Sequence, residues 1–559
     1  MFNLARGKGT LGALLSCGLA LFLYAHTLEY DFSYDDRGIL LENENLRQLD
    51  WSRLMWESYW QGQGDGLYRP LTMLSYGVSF LLSGKPLVFH GFNIALHAIN
   101  TLLLYLFICR YRGVERGLWS ALLFAANPLL SESVASIVGR AELLSFTLGI
   151  AGWITWNFAR EKKDRGWWLL AASASLLLSQ LAKENGIVFA IAVAGSVWQQ
   201  EKRLSYSLLL PLSASLSGLL LKYWAIGSLK PSVIGFIDNP LAYADASVRI
   251  ANGLGIYARY VAKLIFPWPL SVDYSFDQIP IIQPWYATDH LMVSALLLSS
   301  GFFFLRWSII SQFRLQWFVA VAASLFLVSS IPVASSTIFA ERLLYLPVAG
   351  FSLLLSLFLS TVKVQFERVI LLSVVLIFSV LTLDRIPVWE NDTELFSNAV
   401  LSSPRSARSY YGLGVSLHRE GEWEDALAAY NHALSIYPQY ADAQYNKAAL
   451  LLGRGKYTDA YNAYGQVVAI NPGYVKAKRA LALIQIERGE VEQGLDRLRF
   501  LISEREEADE AFKILVGVLV NLGRTNEAER VLLEGLKAEP NNTILLALLQ
   551  QIQIRELKD

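Results

Sequence analysis

The chain is predicted to be all-α and built in two parts, a polytopic bundle of membrane-spanning helices followed by a helical solenoid. Three observations predict this. Hydrophobic residues make up 54% of the 559, a share that suits a protein solvated largely by lipid. Long apolar runs separated by short polar loops fill the chain up to Trp389; beyond it charges are frequent and no run is long enough to span. Finally, glycines recur at Gly421, Gly455, Gly489 and Gly523, each about 34 residues after the last, the period of a helix-pair repeat.

The first part, residues 1–387, is expected to hold about eleven spans. They fall near 9–28, 88–109, 117–130, 141–159, 166–182, 185–199, 204–226, 289–306, 315–335, 342–362 and 369–387. The first run is longer than the apolar region of a signal peptide and lacks a convincing cleavage site, so it is expected to stay as an anchor. Arg6 and Lys8 precede it and put the N-terminus in the cytoplasm. The basic loops 110–116, 160–165 and 201–203 fall on the same side. The stretch 248–270 decides the count. With Arg249, Arg259, Lys263, Pro267 and Pro269 it suits an interfacial or re-entrant piece better than a span. The basic loops 306–314 and 363–368 then return to the cytoplasm, and residues 388–559 lie outside.

That second part carries the repeats. In register with the glycines run the small residues Ala426, Ala460, Gly494 and Ala528, and prolines follow at Pro404, Pro438, Pro472 and Pro540, with Glu506 in the remaining slot. Glycine turns, small residues where paired helices touch and an exit proline are the tetratricopeptide signature. The repeats are expected near 407–440, 441–474, 475–508 and 509–542. Residues 388–404 read as the last helix of an incomplete leading repeat, and 541–555, rich in Ile and Leu, as a cap. Each pair needs a neighbour to cover its apolar face, so the array stacks into a superhelix whose groove binds a protein or peptide, or which serves as a rigid spacer.

Some classes are excluded. The 48 Lys and Arg balance the 48 Asp and Glu, so nothing suggests nucleic acid as a partner. Cys17 and Cys109 lie in or at the end of apolar segments and read as buried small hydrophobes.

The candidate chemistry sits on the side assigned to the exterior. Asp35 and Asp36, just after the first span and followed by Arg37, are too costly to place in hydrocarbon and belong at the membrane surface. Arg69 follows in Tyr68-Arg69-Pro70. His90, Asn93 and His97 share one helix face at spacings of three and four. Then come Glu132, Arg140 and Glu142, Lys183 with Glu184 between two spans, and Glu341 with Arg342 opening the tenth. Ionisable groups in or beside spans are functional candidates by default. The duller readings are hydrogen-bonded packing for the histidines, interfacial anchoring for Lys183 and Glu184, and helix capping for the aspartates.

At these residues a resemblance becomes specific. The run Tyr34-Asp35-Asp36-Arg37, Tyr68-Arg69-Pro70-Leu71, Phe89-His90-Gly91-Phe92-Asn93, Gly139-Arg140-Ala141-Glu142, Ala182-Lys183-Glu184, Pro267-Trp268-Pro269-Leu270 and Ala340-Glu341-Arg342, ahead of tetratricopeptide repeats, resembles the transmembrane and tetratricopeptide repeat-containing family. The resemblance covers nearly the whole chain in order. It implies a polytopic glycosyltransferase of the GT-C fold, related to protein O-mannosyltransferases, with a sugar donor linked to polyprenyl phosphate. The short repeat array implies a bacterial relative. One departure is clear: where family members carry a His-Pro-x-His-x-Glu pattern, this chain reads Asn127-Pro128-Leu129-Leu130-Ser131-Glu132.

The residue types fit the implied chemistry. An acceptor hydroxyl is a poor nucleophile and needs a positioned base, which a carboxylate can supply. The leaving phosphate is already stable as an anion, so cations rather than a general acid are required. The resemblance implies Asp35 as base, with Asp36 orienting it, the acceptor or Arg37. Arg69, Lys183 and Arg342 are the candidates for donor phosphate and sugar, with Glu341 beside them. Arg37, His90, Asn93, Glu132, Arg140 and Glu142 are further candidates. No metal is required, since no His or Cys cluster has ligand spacing, although paired aspartates can hold a divalent cation. Two alternatives stay open: a lipid or surface polysaccharide as acceptor, and a catalytically inactive membrane-anchored repeat scaffold.

Overall fold

Apolar runs with helical spacing fold as helices throughout the computed structural model, which describes residues 8–60, 66–162, 165–201, 206–229, 234–283, 286–309, 311–504 and 508–556. Arg6, Arg203 and Glu506, used above, lie outside them. Among the described residues every regular element is helical. The chain divides into two compact units, Met1–Ser409 and Tyr410–Asp559.

In the first unit, seven segments are long and apolar enough to cross a membrane: Gly9–Glu29, Pro86–Arg112, Ile137–Ala159, Ser207–Ile226, Leu291–Ile309, Glu341–Leu359 and Val364–Trp389. The other four expected spans coincide with helices that fall short in length or in apolar character: Val114–Ala125, Arg165–Ala182, Ile187–Glu201 and Gln312–Val328. A further apolar helix, Pro70–Leu82, opens on a proline whose missing N–H and fixed φ suit a first turn. The stretch 248–270 contains one helix, Ala246–Ile265, apolar on one face and charged on the other. Leu291, Leu296, Leu298 and Phe302 stand open on the outside of Thr288–Ile309, as expected of a surface solvated by lipid.

The second unit is a stack of helix pairs. Ala407–Glu420 pairs with Trp423–Ile436, Ala441–Gly453 with Tyr457–Ile470, Val475–Glu487 with Val491–Ser503, and Ala508–Asn521 with Thr525–Ala538; Thr543–Glu556 follows. The glycine period has a backbone cause. Gly421, Gly455, Gly489 and Gly523 turn the chain between paired helices at φ of 85°, 71°, 84° and 73°, where any side chain is strained. The small-residue register has a packing cause. Ala426, Ala460 and Ala528 are fully buried, and a Cβ on Gly494 would lie 2.6 Å from the Ala482 carbonyl oxygen of the partner helix.

Candidate functional site

The acidic pair is built into a locked turn. Tyr34 takes a left-handed backbone (φ 53°), rare for a residue with a side chain. Its N–H donates to Asp392 Oδ1 at 2.7 Å, and Arg37 Nε donates to Asp392 Oδ2 at 2.8 Å. The Tyr34 ring packs edge-on against Phe396 and lies under the Arg408 guanidinium, 5.6 Å away. This geometry sends the two aspartates to different surroundings. Asp36 is fully buried and accepts from Ser33 N–H (3.1 Å) and Val138 N–H (3.0 Å), tying the loop to the next polar turn. It gives no side-chain hydrogen bond to the short helical turn Arg37–Leu41 that follows. Burial pushes its carboxyl up to about 7, while the two backbone donors pull the other way.

Asp35 is only partly buried. Among the described residues it alone of the carboxylates gathered here has no hydrogen-bond or ion-pair partner. It lies within electrostatic reach of Arg342 and Arg408.

Three cations from distant stretches of chain come together, each held by its own carboxylate, and of the three Arg342 acts on Asp35. Arg342 donates from its backbone N–H to Glu132 Oε2 (2.8 Å) and from Nη1 to Glu132 Oε1 (2.7 Å). Lys183 Nζ pairs with Glu142, and both side chains are more than nine-tenths buried. Arg69 donates from Nε to Glu184 Oε2 (3.1 Å), with Nη2 3.0 Å from the same oxygen and the guanidinium 4.8 Å from the Tyr59 ring centre. Arg69 and Arg342 both act on Lys183, so the three pairs form one electrostatic cluster. Arg342 is the most open of the three, with a quarter of its side chain exposed.

Other candidates go to packing. Arg140 is fully buried and donates to four neutral acceptors, Asn93 Oδ1, Ser75 O, Ser79 Oγ and Phe89 O, at 2.8–3.1 Å. Asn93 also donates to the carbonyls of Ser136 and Ile137, pinning the turn before Arg140. His97 Nδ1 meets Tyr345 Oη at 2.9 Å, and His90 packs edge-on to Tyr30. Where the family pattern has histidines, Asn127 accepts from Leu129 N–H and Leu130 is wholly buried.

Glu341 faces away from Arg342. It accepts from Ser271 N–H at 2.8 Å and from the Tyr274 hydroxyl, and its other oxygen lies 3.9 Å from Arg385 Nη2. Sequence reasoning missed Asp392, Asp238 and Arg408. Arg408 forms an ion pair with Asp238, whose carboxyl burial pushes up while Arg408 pulls it down. Asp392 opens the helix Asp392–Ser402, whose N-terminus the Asn391 side chain caps.

Apolar helices able to span a bilayer, a cation–carboxylate cluster beside a free aspartate, and a tetratricopeptide array define a multi-pass membrane protein with a built polar site. Comparison with known proteins sharpens that class. A family model described as Protein O-mannosyl-transferase TMTC, DUF1736, matches residues 231–302, and two tetratricopeptide models match 407–440 and 451–513. Protein O-mannosyl-transferase TMTC4 of Homo sapiens is 26% identical over 483 residues, covering 72% of this chain and 63% of its own length. Protein O-mannosyl-transferase F38B6.6 of Caenorhabditis elegans is 28% identical over 443 residues, covering 74% and 61%. Protein O-mannosyl-transferase TMTC2 of Mus musculus is 31% identical over 305 residues, covering 49% and 36%. The chain is similar to these proteins and spans less than two thirds of their length.

Proposed function

We propose that the chain is an integral-membrane glycosyltransferase that moves a hexose, mannose if the relatives' names carry over, from a polyprenyl-phosphate donor to hydroxyl groups of a protein acceptor. The single observation that carries this reading is Asp35: a partly exposed carboxylate without a partner among the described residues, facing cations that already have theirs. In the reaction, the acceptor oxygen attacks the anomeric carbon and Asp35 takes the hydroxyl proton. The bond from that carbon to the phosphate oxygen breaks on the opposite face, so the centre inverts. The electron pair leaves on polyprenyl phosphate, and Arg342, aided by Arg69 and Lys183, stabilises the growing charge. Asp36 keeps the turn that aims Asp35. In this reading the protein sits in the cell membrane with its N-terminus cytoplasmic. Its repeat unit lies outside, where its groove takes the acceptor.

The test compares wild type with Asp35→Asn for transfer of radiolabelled sugar from polyprenyl-phosphate-sugar in native membranes. Label reaching protein in wild type, and falling at least a hundredfold in the variant at equal expression, is the expected result. Label on glycolipid instead would change the acceptor. Equal transfer by both would overturn the role of Asp35.

A further inference from the structure

A second cationic site lies on the other side of the Glu341–Arg342 step. A cavity of about 220 Å³ is lined by Arg259, Lys263, Phe266, Trp268, Tyr274 and Phe339, among others. Its charge is unbalanced. Arg259 is exposed and has no hydrogen-bond or ion-pair partner among the described residues. Lys263 donates one N–H to the Pro269 carbonyl, which leaves two. Arg259 and Arg385 both act on Lys263, and among the described residues Glu341 is the one carboxylate that does. Arg385 is itself buried, and its Nε and Nη2 find no hydrogen-bond partner among the described residues. Three cations around one carboxylate call for an anion.

The rim says what the anion is attached to. Phe266 and Trp268 are 76% and 69% exposed at the end of the amphipathic helix Ala246–Ile265, and Ile265 beside them is 53% exposed. Exposed aromatic and aliphatic side chains next to cations are the composition of a membrane–water boundary, where an apolar tail can leave a polar head. Behind the cavity, Tyr260 stacks on Phe339 at 4.1 Å and Tyr274 meets Phe339 edge-on, giving a firm aromatic wall.

We propose that this cavity binds the phosphate head of a polyprenyl phosphate, with the chain passing over Phe266 and Trp268 into the bilayer, as a docking place for the lipid carrier outside the Asp35 cluster. Arg259 and the free donors of Lys263 hold the phosphate oxygens. Glu341 accepts from the Tyr274 hydroxyl and thereby fixes one wall of the cavity. The proposal rests on the lipid-donor reading above, but its test reads binding rather than transfer, so the two can fail separately.

The experiment measures equilibrium binding of a radiolabelled long-chain polyprenyl monophosphate, carrying no sugar, to the full chain in phosphatidylcholine nanodiscs. Binding is expected to be saturable and to weaken about fivefold for each cation removed, in Arg259→Gln and again in Arg259→Gln/Lys263→Gln. Because Arg259 is exposed and unpartnered, the single variant is informative even if the double variant fails to fold. Unchanged affinity in Arg259→Gln would overturn the proposal. So would displacement by phosphatidylglycerol at equal concentration, which would mark a general anionic-lipid surface, or by inorganic phosphate, which would mark a site for the free anion.

Discussion

Glu132 and Arg342 offer the clearest energetic test of how the site is held. Glu132 is 2% exposed and uses both oxygens on Arg342, at 2.7 and 2.8 Å. At an effective dielectric of about 20, unit charges 4 Å apart attract by about 4 kcal/mol. Desolvation of both groups offsets much of that, so the pair adds little net stability, yet removing one partner of a buried pair costs about 3–5 kcal/mol. A quarter of the Arg342 side chain stays exposed and water can take up part of the released charge, which brings the expected loss for Glu132→Gln to about 2–3 kcal/mol. The assay is equilibrium unfolding in mixed detergent micelles for Glu132→Gln, Arg342→Gln and the double variant. The double variant is expected to lose about 1–2 kcal/mol less than the sum of the singles. Additive losses would refute the pairing.

Four further outcomes are expected. Asp35→Asn changes stability by no more than about 0.5 kcal/mol in the same assay, because no partner is lost; a large loss would mean that Asp35 is structural. Asp36, raised in the folded protein from 3.8 to about 7, binds its proton more tightly folded than unfolded. Its contribution to stability is therefore complete below about pH 4 and is lost as pH climbs through about 7, by about 4 kcal/mol in all. Asp36→Asn should flatten that part of the stability–pH curve, and an unchanged slope would show that another group titrates. Arg140→Lys cannot reach four separate acceptors and should lose about 3 kcal/mol or more, read from the unfolding midpoint. Gly455→Ala, at φ 71°, should lose about 1 kcal/mol, whereas Gly465→Ala, in open space within Tyr457–Ile470, should gain about 0.5–1 kcal/mol. The same sign for both would contradict the turn assignment.

The repeat unit was legible because its constraints are local. A left-handed glycine and a small residue at a helix contact each leave one letter in the chain, and a period of about 34 multiplies the signal. The seven long apolar segments were legible for the same reason, while Pro70–Leu82 is a run too short to stand out as one. At the site, residue types could be read but partners could not. Lys183 finds Glu142 across 41 residues, Arg69 finds Glu184 across 115, and Arg342 finds Glu132 across 210. Nothing in the order of residues says which carboxylate neutralises which cation, or that Asp35 is left over. Asp392 and Arg408 were hidden because each already had a local reading, in the leading helix 388–404 and in the first repeat at 407–440. Their contacts are with Arg37 and Asp238, far away in sequence.

The short helical turn Glu341–Leu344 has a mechanical consequence. With about three residues per turn, neighbouring side chains leave it roughly 120° apart, and here the first two are anchored to opposite partners. Glu341 is fastened to Tyr274 and Ser271, and Arg342 to Glu132. The turn is an axle with a spoke in each compartment. A shift of the 271–274 loop that rolls it must swing the guanidinium beside Asp35, and a pull on that guanidinium must tug the loop.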